Sequence, residues 1–311
     1  QAPFPNGGLS SNFTPQGYQQ AVAAAREYIA AGDIFQVNLS QRFEAPLPLP
    51  PWELYLKLRH INPAPFAAFL NFDGVTVASA SPELFLRVQG DRVETRPMKG
   101  TRRRGTTPQE DEALGRELLA SIKDRAENVM IVDLERNDLG RVCRFGSVRV
   151  RELYTRERYA TVFQLTSTVE GRLREGLGAV DLLRATFPGG SVTGCPKIRA
   201  MELIDEMEPT RRGPYTGSIG YLGFDGDMEL NIAIRTFVIK GGRAYFQVGG
   251  AVVYDSSPEA EYRETLDKAR ALFMALGFPT KRAVAKTNAT PPGQQGAVAD
   301  VRVRTRQSLG V

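Results

Sequence analysis

Histidine and cysteine are nearly absent from this sequence: its 311 residues hold one of the first, His60, and two of the second, Cys143 and Cys195. A Ser-His-Asp or Cys-His triad could draw only on His60, and Leu58-Arg59-His60-Ile61 reads as the end of a helix. Two cysteines with one histidine exclude a disulfide framework and a zinc site of usual spacing, and they suit a reducing cytoplasm. No run of about 18 apolar residues exists, so no transmembrane helix and no membrane role is expected. The first residues are polar and turn-rich, which is not a signal peptide. The chain opens on Gln1 without an initiating methionine, which points to a piece of a longer protein. The formal net charge of +5 would suggest nucleic acid, but it is confined to one end. From Thr280 to Val311 stand six cations (Lys281, Arg282, Lys286, Arg302, Arg304, Arg306) and one anion, Asp300, leaving residues 1–279 formally neutral. We therefore expect a leader or linker remnant over 1–12, one catalytic domain over 13–278, a basic, disordered tail over 279–311, and no nucleic-acid partner.

What is present reads as α+β. Thr14-Pro15 followed by Tyr18, Val22, Ala25 and Ile29 predicts a capped helix ending at Gly32. Ile34–Phe43 alternates like a strand, and Pro51–His60 reads as a short helix. Several strands follow, with Asn71-Phe72-Asp73-Gly74 as a hairpin turn. Pro108–Leu139 is predicted mostly helical, Ser147–Gly171 returns to strand, and helices follow near Ala179–Thr186 and Pro196–Met207. Thr216–Tyr254 reads as one antiparallel meander, and Pro258 to about Leu276 as a final helix. Strands in blocks between helices argue for antiparallel sheets rather than a βαβ repeat.

Five groups of residues could carry chemistry. Glu261, Glu264 and Lys268 fall at i, i+3 and i+7, so one helix face presents all three; a solvated face of ion pairs would look the same. Glu127 stands beside the apolar run Val129-Met130-Ile131-Val132, and a buried carboxylate needs a cation. Glutamates from two helices, with no His or Cys at hand, suit a hard oxygen-bound ion such as Mg²⁺. Lys99 lies between Pro97 and Gly100-Thr101, where a desolvated amine would be a nucleophile. Alone, an ordinary lysine in the basic stretch through Arg102, Arg103 and Arg104 is the simpler reading. Pro188-Gly189-Gly190-Ser191-Val192-Thr193-Gly194 precedes a helix and could offer backbone N–H groups to an anion, though it is no P-loop. Arg235 is a cation in the strand-like run Ile232–Phe237, suited to a carboxylate or to a structural ion pair.

Taken in order, the blocks resemble one family. They are Gly32-Asp33-Ile34-Phe35-Gln36-Val37, Ser81-Pro82-Glu83-Leu84, Arg96-Pro97-Met98-Lys99-Gly100-Thr101, Asp124-Arg125-Ala126-Glu127-Asn128 and Gly194-Cys195-Pro196-Lys197. Gly217-Ser218-Ile219-Gly220-Tyr221, Ile234-Arg235-Thr236, Gly249-Gly250-Ala251 and Glu261-Tyr262-Arg263-Glu264 continue it. From about Phe13 to Gly277 the chain resembles the chorismate-binding catalytic domain shared by the large subunits of anthranilate synthase and aminodeoxychorismate synthase, and by isochorismate and salicylate synthases. The resemblance implies a large α/β sandwich of two facing antiparallel sheets with helices outside, lacking the family's N-terminal part.

The resemblance also implies roles. Glu127 and Glu264, with Glu261 close by, would bind Mg²⁺. Arg235, Tyr215, Gly249, Gly250 and Ala251 would hold a chorismate carboxylate. Gln36, Gly100, Thr101, Thr193 and Lys268 would line the same pocket, and Glu83 would be the general acid/base near the C4 hydroxyl. Isochorismate and salicylate synthases typically carry lysine where this chain has Gln36, so those reactions are not expected. Anthranilate synthases typically carry alanine at Lys99 and aminodeoxychorismate synthases lysine, which places the chain with the latter; anthranilate synthase, or a fragment that only binds chorismate, is the alternative. Gln164 stands where most relatives have histidine, so no imidazolium is available there. Neither cysteine lies in a glutaminase elbow, so ammonia is expected from a separate glutamine amidotransferase subunit, or else free ammonia is used.

Overall fold

The computed structural model describes residues 8–159 and 162–278. The expected basic tail lies outside them. Strand β1 (Ser10–Ser11) leads to helix α1 (Pro15–Ala30), β2 (Gln36–Pro46), α2 (Pro51–Ile61), and then β3 (Phe66–Phe72), β4 (Val75–Ser81), β5 (Leu84–Gln89), β6 (Arg92–Thr95) and β7 (Met98–Arg103). Helices α3 (Pro108–Ala120) and α4 (Ile122–Gly140) precede β8 (Arg149–Arg158) and β9 (Val162–Arg172). Next come α5 (Ala179–Thr186), a 3₁₀ turn (Gly190–Val192), β10 (Gly194–Cys195) and α6 (Lys197–Met207). The chain continues through β11 (Gly220–Leu222), β12 (Met228–Asn231), β13 (Thr236–Lys240), β14 (Arg243–Val252) and α7 (Pro258–Ala275).

The strands form two seven-stranded antiparallel sheets. One runs β1-β2-β14-β13-β4-β3, with β10 also on β2; the other runs β11-β12-β5-β6-β9-β7, with β8 on β9. Ser10 and Ser11, in the stretch expected as a leader, pair with Glu44 and Phe43. The α+β sandwich class expected from the sequence is the one observed.

Alternation explains how the sheets are buried. On β2, Val37, Leu39, Phe43 and Ala45 pack into apolar clusters, while Gln36, Asn38 and Ser40 alternate with them and are also buried. On β9, Phe163, Leu165 and Val169 are apolar, and Gln164, Thr166 and Thr168 alternate with them, again buried. Each strand thus has one apolar and one polar buried face. Helices α2 and α7 cover the first sheet through Leu54, Leu58, Leu272 and Phe273; α1 and α6 extend that cover through Tyr18, Val22, Ala200 and Leu203. Helices α4 and α5 cover the second sheet through Val132, Leu139 and Leu182. The polar faces are left for chemistry.

Helix starts follow local capping. The Thr14 hydroxyl accepts from Gly17 N–H at 2.9 Å, and the helix ends two residues before Gly32, as predicted. The helical stretch predicted over Pro108–Leu139 is broken at Ser121, whose side chain accepts from Asp124 N–H at 3.3 Å; a capping serine restarts the helix there. His60 lies in the last turn of α2, as expected. The meander expected over Thr216–Tyr254 is divided instead: β11 and β12 join one sheet, β13 and β14 the other. Arg235 stands at the crossover with φ of +51°, outside any strand, so the strand-like run read around it is corrected. A side chain with left-handed φ cannot continue a pleated ladder, and the chain turns there.

Phe237 is fully buried and meets Phe246 edge-on, with ring centroids 5.4 Å apart. Phe237→Ala should destabilise the fold by about 3–5 kcal/mol, read as a lower urea midpoint at unchanged slope.

Candidate active site

Lys99 owes its direction to a bulge. Strand β7 pairs Lys99 with Leu165 and Thr101 with Gln164, and the register shifts between them, leaving Gly100 unpaired at φ +82°. A Cβ at Gly100 would stand 2.9 Å from Asp124 Cβ and 3.0 Å from Leu118 Cδ1, so α3 and α4 pack where any other residue would intrude. The Lys99 Nζ donates to the Ser191 carbonyl at 3.1 Å. The Ser191 hydroxyl donates to Glu83 Oε1 at 2.6 Å. One residue of the 3₁₀ turn therefore holds both the amine and the carboxyl.

Their proton affinities are displaced towards each other. Burial lowers that of Lys99 and nearby Lys268 lowers it further, while Glu127, Glu83 and Glu264 oppose. Burial raises that of Glu83, opposed by the Ser191 hydroxyl, Lys99, the Met98 N–H and Arg235. A neutral amine and a protonated acid are both nearer to reach at neutral pH than in water.

Glu127 and Glu264, with Glu261, form a group of glutamates whose charge reaches Lys99 through the first two. Lys123 Nζ stands 3.8 Å from Glu127 Oε1 and 4.0 Å from Glu261 Oε1. The Ser256 hydroxyl donates to Glu261 Oε1 at 2.7 Å, but Glu261 Oε2 is buried with no hydrogen-bond partner. A Cβ at Gly250 would meet that oxygen at 3.0 Å and Glu264 Oε1 at 3.7 Å, so the missing side chain leaves space beside both. Burial raises the proton affinity of Glu127 and Glu261. Lys268 lowers that of Glu264, with Nζ 2.6 Å from Oε1, and also donates to the Gly249 carbonyl at 3.0 Å. These all-oxygen donors and the orphaned Glu261 oxygen fit a hard cation such as Mg²⁺. Among the described residues, though, no three carboxylates, histidines or cysteines are gathered closely enough to enclose a metal; lysines supply the opposing charge.

Arg235 is partly buried, and among the described residues its one hydrogen bond to a side chain is the long contact from Nη1 to Asn62 Oδ1, 3.4 Å. No acidic side chain among the described residues ion-pairs with it, and burial lowers its proton affinity. A partly buried guanidinium without an ion pair has donors free for a carboxylate. Tyr215 is buried beneath the Arg212 guanidinium, 5.7 Å from its ring centroid. Gly249, Gly250 and Ala251 sit on β14 opposite Ser40, Leu39 and Asn38 of β2. Gln36 is fully buried with neither amide atom partnered, and Asn38 Oδ1 is likewise unpaired. The Thr193 hydroxyl is spent inside its own loop, donating to the Gly189 carbonyl at 2.9 Å, and Thr101 is exposed. Gln164 is buried opposite Thr101.

Two residues were not singled out from the sequence. Ser191 lies in the Gly-rich loop that was read for its backbone N–H groups; the structure uses its hydroxyl and carbonyl instead. Lys123 precedes Glu127 by four residues, the spacing of a helix ion pair.

With this geometry in hand, comparison with known proteins gives the class. The sequence profile of the chorismate binding enzymes matches residues 2–274. The chain belongs to that family. It is 51% identical over 270 residues to aminodeoxychorismate synthase component 1 of Bacillus subtilis, a match covering 87% of this chain and 57% of that protein. It is 53% identical over 268 residues to an anthranilate synthase component 1 of Haloarcula marismortui, covering 86% and 55%. The chain thus spans little more than half the length of these curated relatives. The crystal structure of anthranilate synthase component I from Streptococcus pneumoniae superposes with a TM-score of 0.78 at 42% identity, over 87% of this chain and 62% of that one. The menaquinone-specific isochorismate synthase of Escherichia coli shares the fold, with a TM-score of 0.77 at 24% identity, over 88% and 65%. Among the described residues, no helix is long and apolar enough to cross a membrane.

Glu127 is the foremost group holding the proton on Lys99. Glu127→Gln should therefore lower the pH at which Lys99 becomes reactive. Reductive methylation at graded pH, followed by mass spectrometry of the Lys99 peptide, reads this; an unmoved titration would separate the two residues.

Proposed function

We propose that the chain is the chorismate-aminating component of an aminodeoxychorismate synthase, placing nitrogen at C4 through a covalent bond to Lys99. The observation that carries this reading is the shared anchor: Ser191 holds Lys99 Nζ by its carbonyl and Glu83 by its hydroxyl. A nucleophile and a proton donor fixed to one residue are what a displacement at one end of a diene with departure at the other requires. Relatives of both names match at similar identity, so the choice between them rests on Lys99.

Chorismate's carboxylates have two receptors. Arg235, with Tyr215 and the Gly249–Ala251 backbone, suits one. Glu127, Glu261 and Glu264 would hold Mg²⁺, which when bound would neutralise the other. The neutral Lys99 amine attacks C2; the ring double bonds shift, the C4–O bond breaks, and Glu83 gives the departing hydroxyl its proton. Ammonia then attacks C4, the double bonds shift back, and the C2–N bond to Lys99 breaks. The product is 4-amino-4-deoxychorismate with its enolpyruvyl group intact, a precursor for 4-aminobenzoate and folate. Ammonia comes from a separate glutamine amidotransferase subunit. In this reading residues 13–278 are the catalytic domain of a cytoplasmic enzyme, and the basic tail takes no part.

Supplying chorismate, Mg²⁺ and ammonium and identifying the product tests the reading. Aminodeoxychorismate without pyruvate is expected; anthranilate with pyruvate would make this an anthranilate synthase, and no turnover would leave a binding fragment. Lys99→Ala should abolish amination at C4, and Glu83→Gln should lower kcat by about 10²–10⁴-fold, the usual worth of proton transfer. Mg²⁺ should raise the thermal unfolding midpoint, and Glu261→Gln should remove most of that rise; an equal rise in the variant would take Glu261 out of the cation site.

A further inference from the structure

Behind the candidate acid lies a second buried carboxyl. Glu135 projects from α4 and is 6% exposed. The Thr95 hydroxyl, at the end of β6, donates to its Oε2 at 2.9 Å. It packs under the 3₁₀ turn, where a Cβ on Gly190 would meet Glu135 Cγ at 3.7 Å. Ser191, the next residue, carries the hydroxyl that holds Glu83. A cavity of about 10 Å³, just room for one water, is lined here by Thr95, Glu135, Asp138 and Gly190 among others.

No cation ion-pairs with Glu135 among the described residues. The nearest, Lys197 on α6, is engaged by the Asp138 carboxylate and donates to the Thr186 carbonyl at 2.6 Å. Arg141, beside Asp138, donates to the Ala185 carbonyl. Of the remaining wall, Phe85, Leu86 and Leu139 are apolar, and the Thr186 hydroxyl is spent on the Leu182 carbonyl at 2.8 Å. A carboxyl out of water with no cation of its own keeps its proton.

The geometry points to Glu135 as a positioning residue: held by the Thr95 hydroxyl on one side and packed against Gly190 on the other, it braces the Gly190–Ser191 turn from behind and so influences how Glu83 holds its proton. This rests on the reading of Glu83 as the acid of the chorismate reaction. Burial pushes Glu135 up to about 8; Glu83 and Asp138 add to this, and Thr95 and Lys197 oppose it. The charge on Glu83 is one of those causes, and by linkage a charge on Glu135 would in turn make Glu83 hold its proton more tightly. Well below pH 8 Glu135 is protonated and adds little charge to the pocket. Above it, a second anion faces Glu83 across the turn, next to a pocket meant for a dianionic substrate.

Titration of the whole chain carrying ¹³C-carboxyl glutamate, followed by NMR, tests this without any substrate. One resonance should titrate near pH 8, be missing from Glu135→Gln, and move to lower pH in Glu83→Gln. Thr95→Val, which keeps Glu135 in place, should move it to higher pH, so the test survives an unfolded Glu135→Gln. A Glu135 resonance that titrates with the ordinary glutamates, or that ignores Glu83→Gln, overturns the proposal. Failure of the chorismate reading would show separately, in the product assay. With turnover established, KM for chorismate should climb as the pH passes about 8, where Glu135 gains its charge, and stay flat over that range in Glu135→Gln. A uniform loss at every pH would mean that Glu135 merely fills space.

Discussion

Ionisable groups enclosed without full pairing govern this molecule. Lys99, Glu83, Arg235 and Glu135 are all withdrawn from water, and each has fewer opposite charges in contact than a buried ion usually needs. Such groups have three outlets: a shifted proton, a neighbour's dipole, or a ligand. Lys99 and Glu83 take the first two, through burial and Ser191. Arg235 is too basic to give up its proton, so only an anion can complete it. Glu135 keeps its proton and becomes a polar but uncharged strut.

The fold makes that enclosure possible because its strands are buried on both faces with opposite chemistry. Were both faces of β2 or β9 apolar, no polar chamber would exist; were one solvated, the shifts at Lys99 and Glu83 would vanish. Two local devices then aim the side chains. The Gly100 bulge turns β7 at Lys99, and the left-handed Arg235 sits where the chain leaves one sheet for the other. The first interrupts a strand and the second falls between two strands, and both lie at the candidate site.

The sequence made some of this legible and hid the rest for physical reasons. Helix α1 was plain, because Thr14-Pro15 and a 3.6-residue apolar period are local signals. The i, i+3, i+7 set on α7 was likewise local, and its Glu264–Lys268 contact is a property of one helix. The division of residues 216–254 between two sheets was not legible, since alternation tells which face a residue takes and not which sheet receives it. Ser191 was hidden because its value lies in two partners, Lys99 and Glu83, that are about a hundred residues away in the chain. Glu135 sat in the motif Asp133-Leu134-Glu135-Arg136-Asn137-Asp138, where a run of charges reads as a solvated face; only tertiary packing turns its carboxyl inward.

The glutamates and Lys99 form one electrostatic system rather than two sites. Glu127 and Glu264 help to hold the proton on Lys99, and Lys268 helps to drive it off. As the chain stands, Lys268 is committed to Glu264 and Lys123 is shared between Glu127 and Glu261. Whatever neutralises Glu127 and Glu264, a lysine or a divalent cation, weakens their hold on the Lys99 proton and leaves burial to dominate. A cation there would thus serve the amine without touching it. The same linkage runs in reverse: a protonated Lys99 competes for the carboxylates that a cation would need. The orphaned oxygen of Glu261 is the exception, since no lysine contacts it and Gly250 leaves space beside it. It is the donor that a cation could use at least cost to the network already formed.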